Sequence, residues 1–146
     1  MPDSLAAPVA PDTNGKPTGT LSAAISNAVV GLLHDYTGRG TTRARTTIGA
    51  DTIVVTLRDS LTKAERTLAD RGQATEVLAM RRAFQDAMRN DLVAAVERLT
   101  GRTVEAFLSD NLHAPDVAVE IFLMNPNDSN GRREVAMGNG KTQPDG

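Results

Sequence analysis

Leu21, Ile25, Ala28, Val29, Leu32 and Tyr36 recur at three- and four-residue intervals, which predicts a helix over about 20–37 ending at Gly38. An extended run over 42–48, a turn through Gly49-Ala50-Asp51 and a second run over 52–58 predict a hairpin. In its second strand Ile53, Val55 and Leu57 alternate with Thr52, Val54 and Thr56, the period of a strand with one buried face. Thr62 and Glu65 have the spacing of a capping box and start a short second helix that stops near Arg71-Gly72. Val77, Met80, Phe84, Ala87, Met88, Leu92, Ala95, Val96 and Leu99 form the longest apolar stripe in the chain. Arg81, Arg82, Gln85, Asp86, Arg89 and Glu97 are expected mostly on the other sides of that third helix, which ends at Thr100-Gly101. A second hairpin follows. Its strands are marked by Val104, Ala106 and Leu108 and by Val117, Val119, Ile121 and Leu123, with a polar loop over 109–116.

The predicted order is α-ββ-α-α-ββ: a two-layer α+β domain over 20–124, with a mostly antiparallel four-stranded sheet packed against helices. Residues 1–19 and 125–146 are rich in Pro, Gly, Asn, Asp and Thr, lack periodicity, and are expected to be disordered tails. The halves echo one another. Tyr36-Thr37-Gly38-Arg39 precedes the first hairpin and Leu99-Thr100-Gly101-Arg102 the second, and each second strand is entered through an aspartate, Asp51 or Asp116. An internal αββ duplication accounts for this. So does convergence, since glycine C-caps and aspartate turns are common.

Composition narrows the function classes. A net charge of −2 and only four aromatic residues (Tyr36, Phe84, Phe107, Phe122) argue against a nucleic-acid binder. The absence of cysteine excludes disulfides, thiolate metal sites and cysteine nucleophiles. It also makes a reducing cytoplasm the simplest location. No apolar run is long enough to span a bilayer, so any membrane association is expected to be peripheral, through a partner and without direct insertion.

Two clusters have candidate chemistry. Arg39, Arg43 and Arg45, in Gly38-Arg39-Gly40-Thr41-Thr42-Arg43-Ala44-Arg45, offer guanidinium forks beside flexible glycine backbone, suited to a phosphate, a carboxylate or an acidic headgroup. The alternative is a capped helix followed by a strand with arginines on its solvent face. Lys16, Lys63 and Lys141 are the lysines among the sixteen basic residues, so arginine is this chain's ordinary cation. The second cluster, Asp110, Asn111, His113 and Asp116 with Ser109 and Glu120, has metal-ligand residue types, yet no spacing matches a known ligand motif. Asp, Asn and Pro also suit an ordinary hairpin loop. His34, near the end of the first helix, suits the helix dipole better than acid–base work. No catalytic residue, metal or cofactor is assigned, and a binding or regulatory module is favoured over an enzyme.

If Ile53, Val55, Leu57, Val104, Ala106, Leu108, Val119, Ile121 and Leu123 face the helices, the other sheet face presents Val54, Phe107 and Phe122 among Arg43, Arg45, Arg58, Glu105 and Glu120. Exposed aromatics rimmed by charge predict an interface, most simply that of a symmetric homodimer.

The same segments resemble the MpsC-like family. The resemblance runs over about 20–124 and rests on Ile25-Ser26-Asn27, Gly38-Arg39-Gly40, Arg43-Ala44-Arg45 and Asp51-Thr52-Ile53-Val54-Val55. It continues through Leu61-Thr62-Lys63-Ala64-Glu65, Arg81-Arg82-Ala83-Phe84-Gln85, Leu99-Thr100-Gly101-Arg102, Phe107-Leu108-Ser109-Asp110-Asn111 and Pro115-Asp116-Val117-Ala118-Val119-Glu120. It implies the soluble component of a sodium-translocating, membrane-potential-generating system and supplies no catalytic residues. The expected function is thus an accessory or regulatory module docking on a membrane transporter of sodium or bicarbonate. The alternative is a small-anion sensor or small enzyme using Arg39, Arg43 and Arg45.

Overall fold

Thr62 and Glu65 form the expected capping box: the Thr62 hydroxyl accepts from the Glu65 amide (3.1 Å), and the Glu65 carboxylate accepts from the Thr62 amide (2.8 Å). They open α2 (Lys63–Leu68) in a computed structural model that describes residues 18–38 and 42–128 of the 146. Upstream lie α1 (Thr18–Thr37), β1 (Arg43–Ile48) and β2 (Thr52–Arg58). Downstream, a wide irregular turn, Ala69–Gln73, leads into α3 (Ala74–Thr100), then β3 (Val104–Leu112) and β4 (Val117–Met124). The break between α2 and α3 centres on Gly72, whose φ of 85° is left-handed and ends the helix where the sequence predicts. Gly38 and Gly101, at φ of 72° and 69°, close α1 and α3 in the same way.

All strand pairs are antiparallel, and the sheet order is β1-β2-β4-β3, so the second strands of the two hairpins lie side by side at its centre. This is the expected α+β architecture, with both long helices on one face. Ile25 and Val29 of α1, and Met88, Leu92 and Val96 of α3, pack on Ile53, Val55 and Leu57. A hydrogen bond of 2.7 Å between the Ser26 and Thr46 hydroxyls ties α1 to β1. Residues 125–128 remain attached to the fold, since the Asn125 amide donates to the Thr103 carbonyl and the Thr103 amide to Asp128. The rest of the predicted tails, 1–17 and 129–146, lies outside the described residues.

The second hairpin is turned over relative to expectation. Phe107, Ala118, Glu120, Phe122 and Met124 are buried beneath the helices, while Leu108 is half exposed on the outer face. Phe107 and Phe122 therefore form no monomer surface; their rings meet at a tilt inside the core, with centroids 5.0 Å apart. Two physical reasons account for the reversal. Nearly every position of β4 is apolar, so alternation there does not choose a face, and the two phenylalanines supply the volume needed between sheet and α3. A bulge at Glu105 also shifts register: Val104 faces Met124, whereas Ala106 pairs with Leu123. Of the three apolar residues expected at the interface only Val54 keeps an outward position, in register with Ile121, together with Arg43, Arg45 and Arg58.

Candidate functional site

The apolar stripe of α3 is interrupted on its inward side by Arg81 and Gln85, both buried. Their positions continue the series Val77, Arg81, Gln85, Met88 and Leu92, so these polar groups occupy core positions rather than the flank the apolar pattern assigns them. Each finds partners at a distance in sequence. Arg81 donates from Nη1 to Glu65 (3.1 Å) and to the Ser60 carbonyl (3.2 Å), from Nη2 to the Ser60 hydroxyl (2.7 Å) and from Nε to Asn111 Oδ1 (3.3 Å). Glu65 thus both caps α2 and neutralises the α3 arginine.

Beside this knot a cavity of about 220 Å³ opens between α1, α3 and the sheet. Val29, Leu33, Met88 and Leu92 form its apolar wall, Tyr36 and Met80 stand at its more exposed side, and Arg81, Gln85, Asn111 and Glu120 make it polar at the sheet. It exceeds the roughly 150 Å³ of an engineered apolar cavity that admits benzene. The Tyr36 hydroxyl donates to Asp91 at 2.7 Å, bracing α1 against α3 and raising the tyrosine pKa.

Glu120 is the unusual group of this site. It is 4 % exposed; Gln85 Nε2 reaches its Oε1 over a long 3.4 Å, and Oε2 makes no hydrogen bond among the described residues. Burial pushes its carboxyl up to about 7, with the hydroxyl of Ser109 across the strand pair, the Gln85 amide and the Arg81 charge pulling it only partway back. Because the folded-state value lies above the ordinary 4.5, the native state holds the extra proton between those two values. Stability should therefore fall as pH rises from about 4.5 to about 7, then level off. Glu120→Gln should flatten that slope and make the chain more stable than wild type at pH 8; urea melts from pH 4 to 8 measure both.

The sequence-predicted site residues are put to separate uses. Asn111 joins the cavity through Arg81. Asp116 is a structural lock: its carboxylate accepts from the Ser60 and Leu61 amides (3.1 and 3.2 Å) and pairs with Arg66 (3.0 Å). Asp110 makes an exposed ion pair with Arg82 at 3.7 Å, and His113 stands on the exposed turn. β3 runs through Leu112, so much of the predicted loop is strand. Among the described residues no group of three His, Cys, Asp or Glu side chains gathers as a metal site.

Arg43 and Arg45 lie on the outer face of β1 with Arg58 nearby, and Arg43 is bridged to Asp59 at 2.8 Å, both side chains being exposed. Arg39 lies outside the described residues.

No helix among the described residues is long and apolar enough to cross a membrane. Residues 17–126 match the family described as Na+-translocating membrane potential-generating system (MpsC). No curated protein and no solved structure gives a significant match.

Proposed function

Because the chain belongs to this MpsC family, whose description ties it to a Na+-translocating, membrane-potential-generating system, we propose that it is a soluble accessory or regulatory subunit docking on a membrane-embedded partner. In this reading it acts in the cytoplasm and is peripheral to the membrane through that partner. The observation that supports a regulatory role is the cavity ending at Glu120: a space of ligand size, closed by a carboxyl that changes charge near neutral pH. A module of this kind reports proton activity or cavity occupancy to whatever it is docked on, and needs no catalytic constellation.

Detergent-solubilised membranes passed over the immobilised full chain should leave an integral membrane protein of the Na+-translocating system bound. Retention of water-soluble proteins alone would refute the accessory role.

The second reading, an anion sensor, draws on the arginines that share the outer face of β1 and β2. It requires that bicarbonate or phosphate bind the wild-type chain and not the Arg43→Ala/Arg45→Ala variant. Equal binding by both eliminates it.

A further inference from the structure

The outer face of the sheet has two unlike sides. Read across the strands from β3 to β1, one row is Leu108, Ile121, Val54, Thr47. The next is Asp110, Val119, Thr56, Arg45, and the one after it is Leu112, Val117, Arg58, Arg43. The β3–β4 side is apolar apart from Asp110, while the β1–β2 side is threonine and arginine around Val54. Leu108 and Leu112 are 53 % and 55 % exposed. Both long helices pack on the opposite face. Arg45 is exposed, and among the described residues it makes neither a hydrogen bond nor an ion pair. An exposed apolar half-face rimmed by arginine marks an interaction surface.

We propose that this face pairs with the same face of a second copy of the chain, about a two-fold axis that runs parallel to the strands between β2 and β4. Such an axis keeps each row at its own height and exchanges its ends. Arg45 then comes over the second copy's Asp110, Val54 over its Ile121 and Thr56 over its Val119, and each contact occurs twice. The stems of Arg43 and Arg58 cover the second copy's Leu112 and Val117 while their heads stay in water. A two-fold across the strands would instead set the arginine edges of the two copies against each other. Charge therefore selects the axis as well as the partner.

The geometry tolerates the natural twist. Aligned sheets cross at about 30°, which at the outer strands, about 7 Å from the axis, displaces facing rows by roughly one residue. An arginine spans that offset and the gap of about 10 Å between packed sheets when a carboxylate meets it. Asp110 is available to it, since its pairing with Arg82 is long and exposed. In plan the face covers roughly 450 Å² per copy, from four strands about 4.8 Å apart and seven residues at about 3.3 Å. Side-chain relief brings the pair near the roughly 1,000 Å² at which specific interfaces begin, so the dimer is reversible.

The test is sedimentation velocity on the full chain from low micromolar to several hundred micromolar. Wild type should pass from monomer to dimer over that range. Arg45→Asp should raise the dissociation constant at least tenfold, and adding Asp110→Arg should recover most of the loss, with unchanged circular dichroism throughout. Leu108→Asp should also give a folded monomer, without rescue. A wild-type monomer at every concentration overturns the proposal and assigns the face to chain outside the described residues or to the membrane partner. A dimer indifferent to Leu108→Asp places the interface elsewhere. Loss in Arg45→Asp with no recovery in the double variant overturns the axis. None of these outcomes depends on whether a membrane subunit is recovered.

Discussion

Arg81→Ala should cost about 3–5 kcal/mol of stability, because it strands a buried carboxylate. The Arg81 and Glu65 side chains are 9 % and 7 % exposed, and the guanidinium also serves the Ser60 carbonyl and hydroxyl and Asn111. Truncation leaves Glu65 charged and unpaired in the protein interior and opens space beside the cavity. The exposed Arg43–Asp59 pair is the internal control. Its side chains are 77 % and 53 % accessible, so Arg43→Ala should change stability by less than about 1 kcal/mol even though that contact is shorter. Neutralising Glu65 as well, in Arg81→Met/Glu65→Gln, should return part of the loss, because the amide still accepts from the Thr62 amide and no charge is left behind. Urea denaturation at constant m value measures all three. An Arg81→Ala loss below about 1 kcal/mol would mean that water reaches this knot.

Phe122→Ala should be comparably damaging, at about 3–5 kcal/mol, since Phe122 is fully buried and packs its ring at a tilt against Phe107. Its outward neighbour on β3, Leu108, should tolerate alanine within about 0.5 kcal/mol when measured at dilution, where the chain is monomeric. The two results together test which way the second hairpin faces. Inward Leu108 and outward Phe122 would reverse their order, and equal costs would indicate a hairpin with no settled face.

That hairpin shows where local pattern stops carrying information. The helices, the capping box at Thr62 and Glu65, the glycine stops and the four strands are all legible from the chain, because each depends on residues within a turn or two of one another. The first hairpin's faces are legible too, since Thr52, Val54 and Thr56 separate Ile53, Val55 and Leu57. In β4 the sequence Val117–Met124 offers apolar side chains to both faces and a single acid, Glu120, to the inner one. Alternation cannot rank phenylalanine above isoleucine for a place in the core; the volume between the layers does. Arg81 and Gln85 were hidden for a related reason. They read as flank residues because the groups that satisfy them (Glu65, Ser60 and Asn111 for Arg81, Glu120 for Gln85) lie 16 to 35 residues away. The one local sign was their spacing: Arg81 lies four residues after Val77, and Gln85 four further on and three before Met88. Glu120 gave no sign beyond being an acid among apolar residues.

The two entry aspartates tie the halves together crosswise. Asp51, at the first hairpin, is held by Arg102 from beyond α3, and Asp116, at the second, by Ser60, Leu61 and Arg66 from beyond β2. Each hairpin is therefore fastened by a segment more than fifty residues distant, apart from Arg66 at fifty. Neither αββ half carries its own fastening. These crosswise contacts close loops of some fifty residues, so they are expected to form late and together. A fragment containing one half would lose the side-chain partner of its own entry aspartate.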